Sequence, residues 1–145
     1  PRVDGMSDLA DILVAFAARV AAGMTGDALA GRTFAFAPDS AMTPFAVALP
    51  AANPVDYDVT MDGSDDFELV LKVVVGAEFS RAAQTQLLAY MDRTGSTSIR
   101  TAVYGDSTLG GTVSDLKVNG WQNYGDVEWS GVVYFGAEML VTAYT

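Results

Sequence analysis

The chain has 145 residues, of which 50% are hydrophobic and 18% are charged, and its 18 acids and 8 bases give a net charge of −10. A chain of this length fits one domain, and its negative charge disfavours binding to phosphate backbones or anionic membrane surfaces. The sequence contains neither cysteine nor histidine, which excludes disulfides, Ser-His-Asp and Cys-His catalysis, and the usual zinc and iron sites. Because a small core cannot hold all of these apolar side chains, the composition favours a protein that assembles with others.

The first predicted element is a helix over about residues 8–22. Apolar side chains recur at helical spacing in residues 9–20, Ser7 suits the N-cap, and Gly23 is a natural stop. The apolar run is too short to span a bilayer, and the segment before it lacks the positive cluster of a signal peptide. We therefore expect a protein that is made in the cytosol, with residues 1–6 as an N-terminal arm.

The middle of the chain predicts several strands. A short strand is expected near residues 32–37, and prolines then punctuate the segment 38–66, which confines its alternating stretches to sheet edges or ordered loops. The strongest strand pattern covers residues 67–75. Val70 and Val74 lie opposite its main apolar face, so that this second face is also partly covered, as in a central strand.

The C-terminal half predicts two more helices and a group of strands. Ser80 caps a helix over about residues 81–93, and Ser96 caps a further short helix. Strands follow in residues 113–144, and turn signals separate them at Asn119-Gly120, Gly125-Asp126 and Ser130-Gly131. The order of elements favours an α+β domain with a mainly antiparallel sheet of about 4–6 strands, and with two longer helices and one short helix packed on one face.

An acidic cluster marks residues 56–68, a stretch without lysine or arginine. A calcium loop needs oxygens at alternate positions, a glycine at the sixth and a glutamate at the twelfth, whereas the stretch that begins at Asp62 is too short and has its glycine second. The pattern indicates a solvated hairpin tip, or an acidic surface that faces a channel and keeps DNA from adhering to the wall. The candidate lumen-facing acids are Asp62, Asp65, Asp66 and Glu68.

A Gly-rich stretch at residues 105–112 superficially resembles a phosphate-binding loop. Gly111 stands where the lysine of such a loop belongs, and the stretch follows a predicted helix rather than a strand. A helix-to-strand turn is the better interpretation.

Tyrosine and aspartate are the remaining residue types that could carry proton-transfer chemistry, as in small ketosteroid-isomerase-like domains. No spacing in the sequence singles out such a pair. Near the C-terminal hairpin, three aromatic residues predict either core packing or an interface anchor: Trp121, Tyr124 and Trp129.

The informative part of the sequence is the run of residues 82–144. Four features follow one another in it: Tyr90-Met91-Asp92 at a helix end, the link Gly95-Ser96-Thr97-Ser98-Ile99, the stretch 106–111 with the sequence Asp-Ser-Thr-Leu-Gly-Gly, and a closing hairpin with Tyr134-Phe135-Gly136-Ala137-Glu138. In their order and spacing they resemble the tail terminator proteins of long-tailed bacteriophages (siphoviruses) that infect actinobacteria. The opening helix also fits such proteins, whereas residues 38–66 carry little family signal.

The resemblance implies a structural virion protein rather than an enzyme, without cofactor or metal. Such proteins form a ring, a hexamer, that docks on the last ring of tail-tube subunits, stops tail polymerisation and offers its other face to the head-completion (stopper) protein. The implied location is the head-proximal end of the tail in the virion, and the host cytoplasm during assembly. Genomic DNA would pass through the lumen without specific binding, and no membrane is involved.

A ring needs two different, complementary patches on each subunit. The segment 44–61 is the candidate for a patch that the monomer cannot bury, and the alternative is an ordinary edge of the core sheet. The candidate inter-subunit or tube contacts are Phe45, Val47, Leu49, Tyr57, Val59 and Met61. Competing interpretations are another neck component, such as a head–tail adaptor or tail-completion protein, a tail-tube subunit, or, in a different class, a small-molecule-binding isomerase-like domain.

Overall fold

The computed structural model describes residues 9–24, 27–35, 43–56, 66–76, 80–129 and 131–144. Its helices are α1 (Leu9–Gly23), α2 (Arg81–Met91) and α3 (Ile99–Val103), with a short 3-10 helix at Ala28–Gly31. Its strands are β1 (Thr33–Phe34), β2 (Phe45–Asp56), β3 (Asp66–Gly76), β4 (Asp115–Trp129) and β5 (Val132–Tyr144). The described strands form one sheet in the order β1-β2-β3-β5-β4, in which only the β1–β2 pair is parallel. The predicted α+β class is confirmed.

Helix α1 lies where its periodicity predicts and packs directly against α3. Its buried side is apolar, whereas Gly23 permits the close approach of the two helices, because a Cβ at this position would collide with the Cβ of Ala102. The residues that α1 buries are Ile12, Leu13, Phe16, Ala17 and Val20.

Strand β3 lies in the interior of the sheet, between β2 and β5, as its two apolar faces predict. Its odd-numbered residues pack with the helices in the main core, and the other face is also covered, since Val70 is 8% and Val74 0% exposed. At one edge, β1 covers Thr33–Phe34 of the strand predicted near 32–37, of which residues 36–37 lie outside the described residues.

The C-terminal strands form one long hairpin, and two of the three predicted turns within them are wrong. Strand β4 continues through Asn119-Gly120 and Gly125-Asp126, where its pairing with β5 shifts register at β-bulges. Gly120 and Gly125 have positive φ angles of 148° and 122°. A residue type that permits a turn also permits a bulge, so the local signal alone does not separate them. The third turn is confirmed: Trp129 pairs with Val132 across residues 130–131.

Serine hydroxyls begin both of the later helices. Ser80 accepts a hydrogen bond from the Ala83 amide at 3.0 Å, which confirms the predicted cap of α2. The cap of α3 is Ser98 rather than Ser96: its Oγ accepts from the Thr101 amide at 3.2 Å and donates to the Asp92 carbonyl, so the hydroxyl ties the end of α2 to the start of α3. None of the described helices is long and apolar enough to cross a membrane.

Candidate interaction surfaces

The sheet face turned away from the helices, called the open face below, carries a second apolar cluster. It comprises the buried residues Phe45, Val47, Val74 and Val127, with Phe34, Leu49, Trp129 and Tyr134 packed against them. The Phe45 ring meets Trp129 edge-on at a centroid distance of 5.8 Å and Tyr134 at 6.4 Å. Aromatic pairs in this geometry add to the energy of burial.

This cluster corrects the expected patch. Phe45 is 1% and Val47 0% exposed, so the chain itself buries them and they do not form a patch that the monomer leaves open. Leu49 is partly buried against the same cluster. The physical reason is the length of the β4–β5 hairpin, which brings Trp129 and Tyr134 over Phe45. The other expected contacts, Tyr57, Val59 and Met61, lie outside the described residues.

Of the three aromatic residues near the C-terminal hairpin, two are packed against an apolar cluster and one is exposed. Trp121 packs against the main core and Trp129 against the open-face cluster, as the core interpretation expects. Tyr124 lies edge-on against Phe135 at a centroid distance of 5.5 Å and is 42% exposed.

The other half of the open face is polar. Asn119 Nδ2 donates to Thr142 Oγ1 at 2.8 Å, and the Thr142 hydroxyl reaches Glu68 Oε2 at 3.0 Å, so one chain of hydrogen bonds crosses β4, β5 and β3. Glu68 and Asp66 share this face because side chains alternate along a strand. Of the candidate lumen-facing acids, these two therefore lie together on the open face, whereas Asp62 and Asp65 lie outside the described residues.

A second polar row crosses the middle of the same face. Lys72 Nζ lies 3.7 Å from Glu138 Oε2, and the side-chain amides of Gln122 and Asn123 donate to Glu138 Oε1 at 2.9 and 2.8 Å. A partly exposed pair of this kind contributes little stability. Its effect is to hold the carboxylate in place on the sheet.

The far end of the β4–β5 hairpin extends past its neighbour β3. The last pair between β3 and β5 is Gly76 with Phe135, so residues 132–134 of β5 pair only with β4. Val132 and Val133 are 50% and 56% exposed there. We define the hairpin tip as these two valines together with the exposed acids Asp126 and Glu128.

A second surface with exposed apolar side chains follows α2, the link after it, and α3 with its C-cap residue. We define the basic helical face as Arg81, Leu88, Arg93, Arg100 and Tyr104, of which Leu88 is 51% and Tyr104 37% exposed. The Arg100 guanidinium lies 4.8 Å from the centre of the Tyr104 ring, and Arg100 Nη1 donates to the Arg93 carbonyl at 3.5 Å. These contacts place the Arg100 side chain beside the Tyr104 ring and the end of α2.

The Gly-rich stretch is a turn that binds its own carboxylate. Asp106 Oδ1 accepts from the Thr108 hydroxyl at 2.7 Å, and Asp106 Oδ2 accepts from the Gly110 amide at 2.9 Å. The bond from the Thr108 hydroxyl, followed by the amides of Gly110 and Thr108, lowers the pKa of Asp106. Because the carboxylate occupies these donors, the turn does not present them to a phosphate. A groove of about 260 Å³ lies beside it, lined by Ala15, Ala18, Arg19, Ala22, Asp106, Leu109 and Gly110.

The structure brings one tyrosine and one aspartate together, a pair that no sequence spacing indicates. The Tyr90 hydroxyl donates to Asp27 Oδ1 at 2.7 Å and accepts from Gln86 Nε2 at 3.0 Å. Burial, followed by the adjacent Asp27, raises the pKa of Tyr90. Asp27 also accepts from the Leu29 amide and thereby caps the 3-10 helix. The pair joins α2 to this helix and does not line the groove beside Asp106.

The comparisons with known proteins assign no family. No family model matches the chain, and no curated protein matches it. Within the described ranges, no group of three or more acidic side chains could hold a metal ion. The geometry defines an α+β domain whose exposed apolar side chains include those of the basic helical face and the hairpin tip. Sequence reasoning missed both surfaces, although the exposed position of Leu88 follows from the helical spacing of Arg81, Thr85 and Leu88 on one side of α2.

Proposed function

We propose that the chain is a structural virion protein that forms a ring, by its resemblance a hexamer, at the head-proximal end of a phage tail. There it caps the tail tube, terminates tail polymerisation and provides the surface that joins the tail to the head-completion protein. It acts without catalysis, and genomic DNA passes through its lumen.

The observation that carries the proposal is the position of the two exposed surfaces. Apart from Arg81, all residues of the basic helical face and the hairpin tip lie in residues 82–144. This is the run that resembles tail terminators. A closed ring needs two different patches on each subunit, and these two differ in charge and in the elements that carry them. The polar half of the open face, with Asp66 and Glu68, is the proposed lumen wall, because acidic side chains repel DNA phosphates.

A pocket enzyme has less support. The one buried Tyr–Asp contact described above, between Tyr90 and Asp27, is satisfied by neighbouring groups and caps a helix. General acid–base catalysis requires a proton-transfer group within reach of a substrate. The groove beside Asp106 is not lined by that pair.

The test is deletion of the gene from the phage that encodes the chain, with electron microscopy of the lysate. We expect tails of uncontrolled length that are not joined to heads, and restoration of normal particles when the chain is supplied from a plasmid. Tails of normal length that fail to join heads would instead identify another neck protein. An absence of tails would identify a tube subunit, and normal particles would reject a role in tail assembly.

A further inference from the structure

One segment of this acidic chain has a net positive charge. The chain carries a net charge of −10, yet residues 81–104 contain three arginines and one aspartate, a local net charge of +2. Arg81 and Arg93 are exposed, and Arg100 is held against Tyr104. Arginine binds carboxylates through its planar fork of donors.

The hairpin tip has the opposite charge. No lysine or arginine follows Lys117 in the sequence. Lys72 reaches the tip from the open face, where its Nζ donates to the Glu128 carbonyl at 3.5 Å, but it also pairs with Glu138, whose Oε2 lies 3.7 Å away. Glu128 pairs directly across the hairpin with Val133, which places an acid beside an exposed apolar side chain on the same face of the ribbon. Residues 132–134 extend beyond β3, so the end of the hairpin can reach another molecule.

From this complementarity we infer that the hairpin tip of one copy binds the basic helical face of the next copy. Asp126 and Glu128 approach the arginines Arg93 and Arg100, and Val133 packs near Leu88. The contact joins two different surfaces, so each copy has one of each to offer, and repetition builds a ring when the rotation between copies closes. Opposite charges at such a contact set its orientation and speed its formation, while the apolar side chains supply buried area.

This inference rests on the proposed ring and assigns the contact within it. The occupant of the basic helical face is a second copy rather than nucleic acid, because the apolar Leu88 and Tyr104 among the arginines match the valines of the tip. A phosphate backbone offers no apolar counterpart to them.

The absence of cysteine permits a direct test by cross-linking. One preparation carries Leu88→Cys and the other Val133→Cys, and they are mixed at equal concentration with a short bis-maleimide reagent. In the mixture we expect a cross-linked dimer, and this dimer should contain one copy of each variant. The matched control replaces Leu88→Cys by Val14→Cys, an α1 position of similar exposure at 50%, and we expect at least about tenfold less product.

The alternatives give different products. Equal cross-linking of the Val14→Cys control, or dimers of each variant with itself, would overturn the inferred contact. A mixture that yields no mixed dimer, even on isolated tube ends, would overturn it as well.

Charge reversal provides a second test. Analytical ultracentrifugation measures how strongly the chains associate, with the cross-linked dimer as a size reference. Arg93→Glu and Glu128→Arg should each reduce association by about tenfold, and the two together in one chain should restore it. If the Arg93→Glu chain forms rings normally but no longer binds tube ends, the face belongs to the tube protein and the inference is wrong. The gene deletion tests the proposed function separately, so a chain that controls tail length but tolerates both reversals would overturn only this contact.

Discussion

The two faces of the sheet bury their residues by different means. The face toward the helices is apolar along β3 and β5 and is covered by α1, α2 and α3, which together form one continuous core. The open face is apolar only at one end, where rings from the β4–β5 hairpin cover it, and polar at the other. Whole helices cover the first face along the length of its strands, so its strand residues are apolar throughout, whereas a face covered by a few side chains can change from apolar to polar within one strand.

The largest loss of stability is expected when a side chain in the helix-covered core is truncated. Phe16 is 0% exposed and lies among α1, α3 and the sheet. Phe16→Ala should lower the free energy of unfolding by about 3–5 kcal/mol, since it leaves a cavity that the surrounding helices cannot fill. Urea denaturation measures this, with Val14→Ala on the exposed side of α1 as a control that should change stability by less than about 0.5 kcal/mol.

The equivalent truncation of a side chain on the open face should lower the stability less. Phe45 is as buried as Phe16, but its cover consists of the partly exposed Trp129 and Tyr134, which can move into the space. We expect Phe45→Ala to lower the free energy of unfolding by about 2–3 kcal/mol and to alter the fluorescence of Trp129. A loss equal to that of Phe16→Ala would mean that the open-face cluster is as rigid as the main core.

A glycine substitution tests how closely the central strands approach. A Cβ at Gly136 would collide with the Val73 carbonyl, whereas a Cβ at Gly76 would meet nothing within 4 Å. Gly136→Ala should therefore lower the free energy of unfolding by about 1–3 kcal/mol, since the strands must separate to accommodate it. Gly76→Ala is the matched control, and similar losses from both would contradict the steric explanation.

The polar tie on the helical side gives the chain a stability that depends on pH. Tyr90→Phe removes a partly buried hydrogen bond to Asp27 and should cost about 1–2 kcal/mol near neutral pH. The folded state raises the pKa of Tyr90 above its ordinary value of 10.0. The tyrosine contribution is therefore fully present below pH 10 and decreases as the pH rises above that value, where the unfolded chain ionises first. Thermal denaturation between pH 8 and 11 should show this decrease, and the decrease should be smaller in Tyr90→Phe.

The hydrogen-bond chain from Asn119 through Thr142 to Glu68 on the open face should contribute least to stability. Asn119→Ala removes the amide that donates to Thr142, but the Thr142 hydroxyl keeps its hydrogen bond to Glu68, so we expect a loss of about 0.5 kcal/mol. Urea denaturation of Asn119→Ala and of Tyr90→Phe compares the two losses in the free energy of unfolding. An equal or greater loss would indicate that the open face is shielded from water.

The candidate site was only partly predictable from the sequence. The stripe on α1, the strand at residues 67–75 and the Ser80 cap are local patterns, and the structure confirms each of them. The turn interpretation of residues 105–112 also holds, because the missing lysine already argues against a phosphate loop. The cap of α3 was placed two residues too early, since Ser96 and Ser98 are both suitable and only the chain path after Asp92 selects between them.

What the sequence determined by itself is therefore the type of each strong element, its main buried face and the α+β class, since these follow from side chains within one or two turns of the chain. Only the tertiary structure decided whether Gly120 and Gly125 make turns or bulges, and whether Phe45 and Val47 face solvent or an aromatic cover. Those outcomes depend on how far the hairpin extends and on which distant side chains it brings over β2. Burial is a property of the partners a residue meets in space, and a local pattern does not contain them.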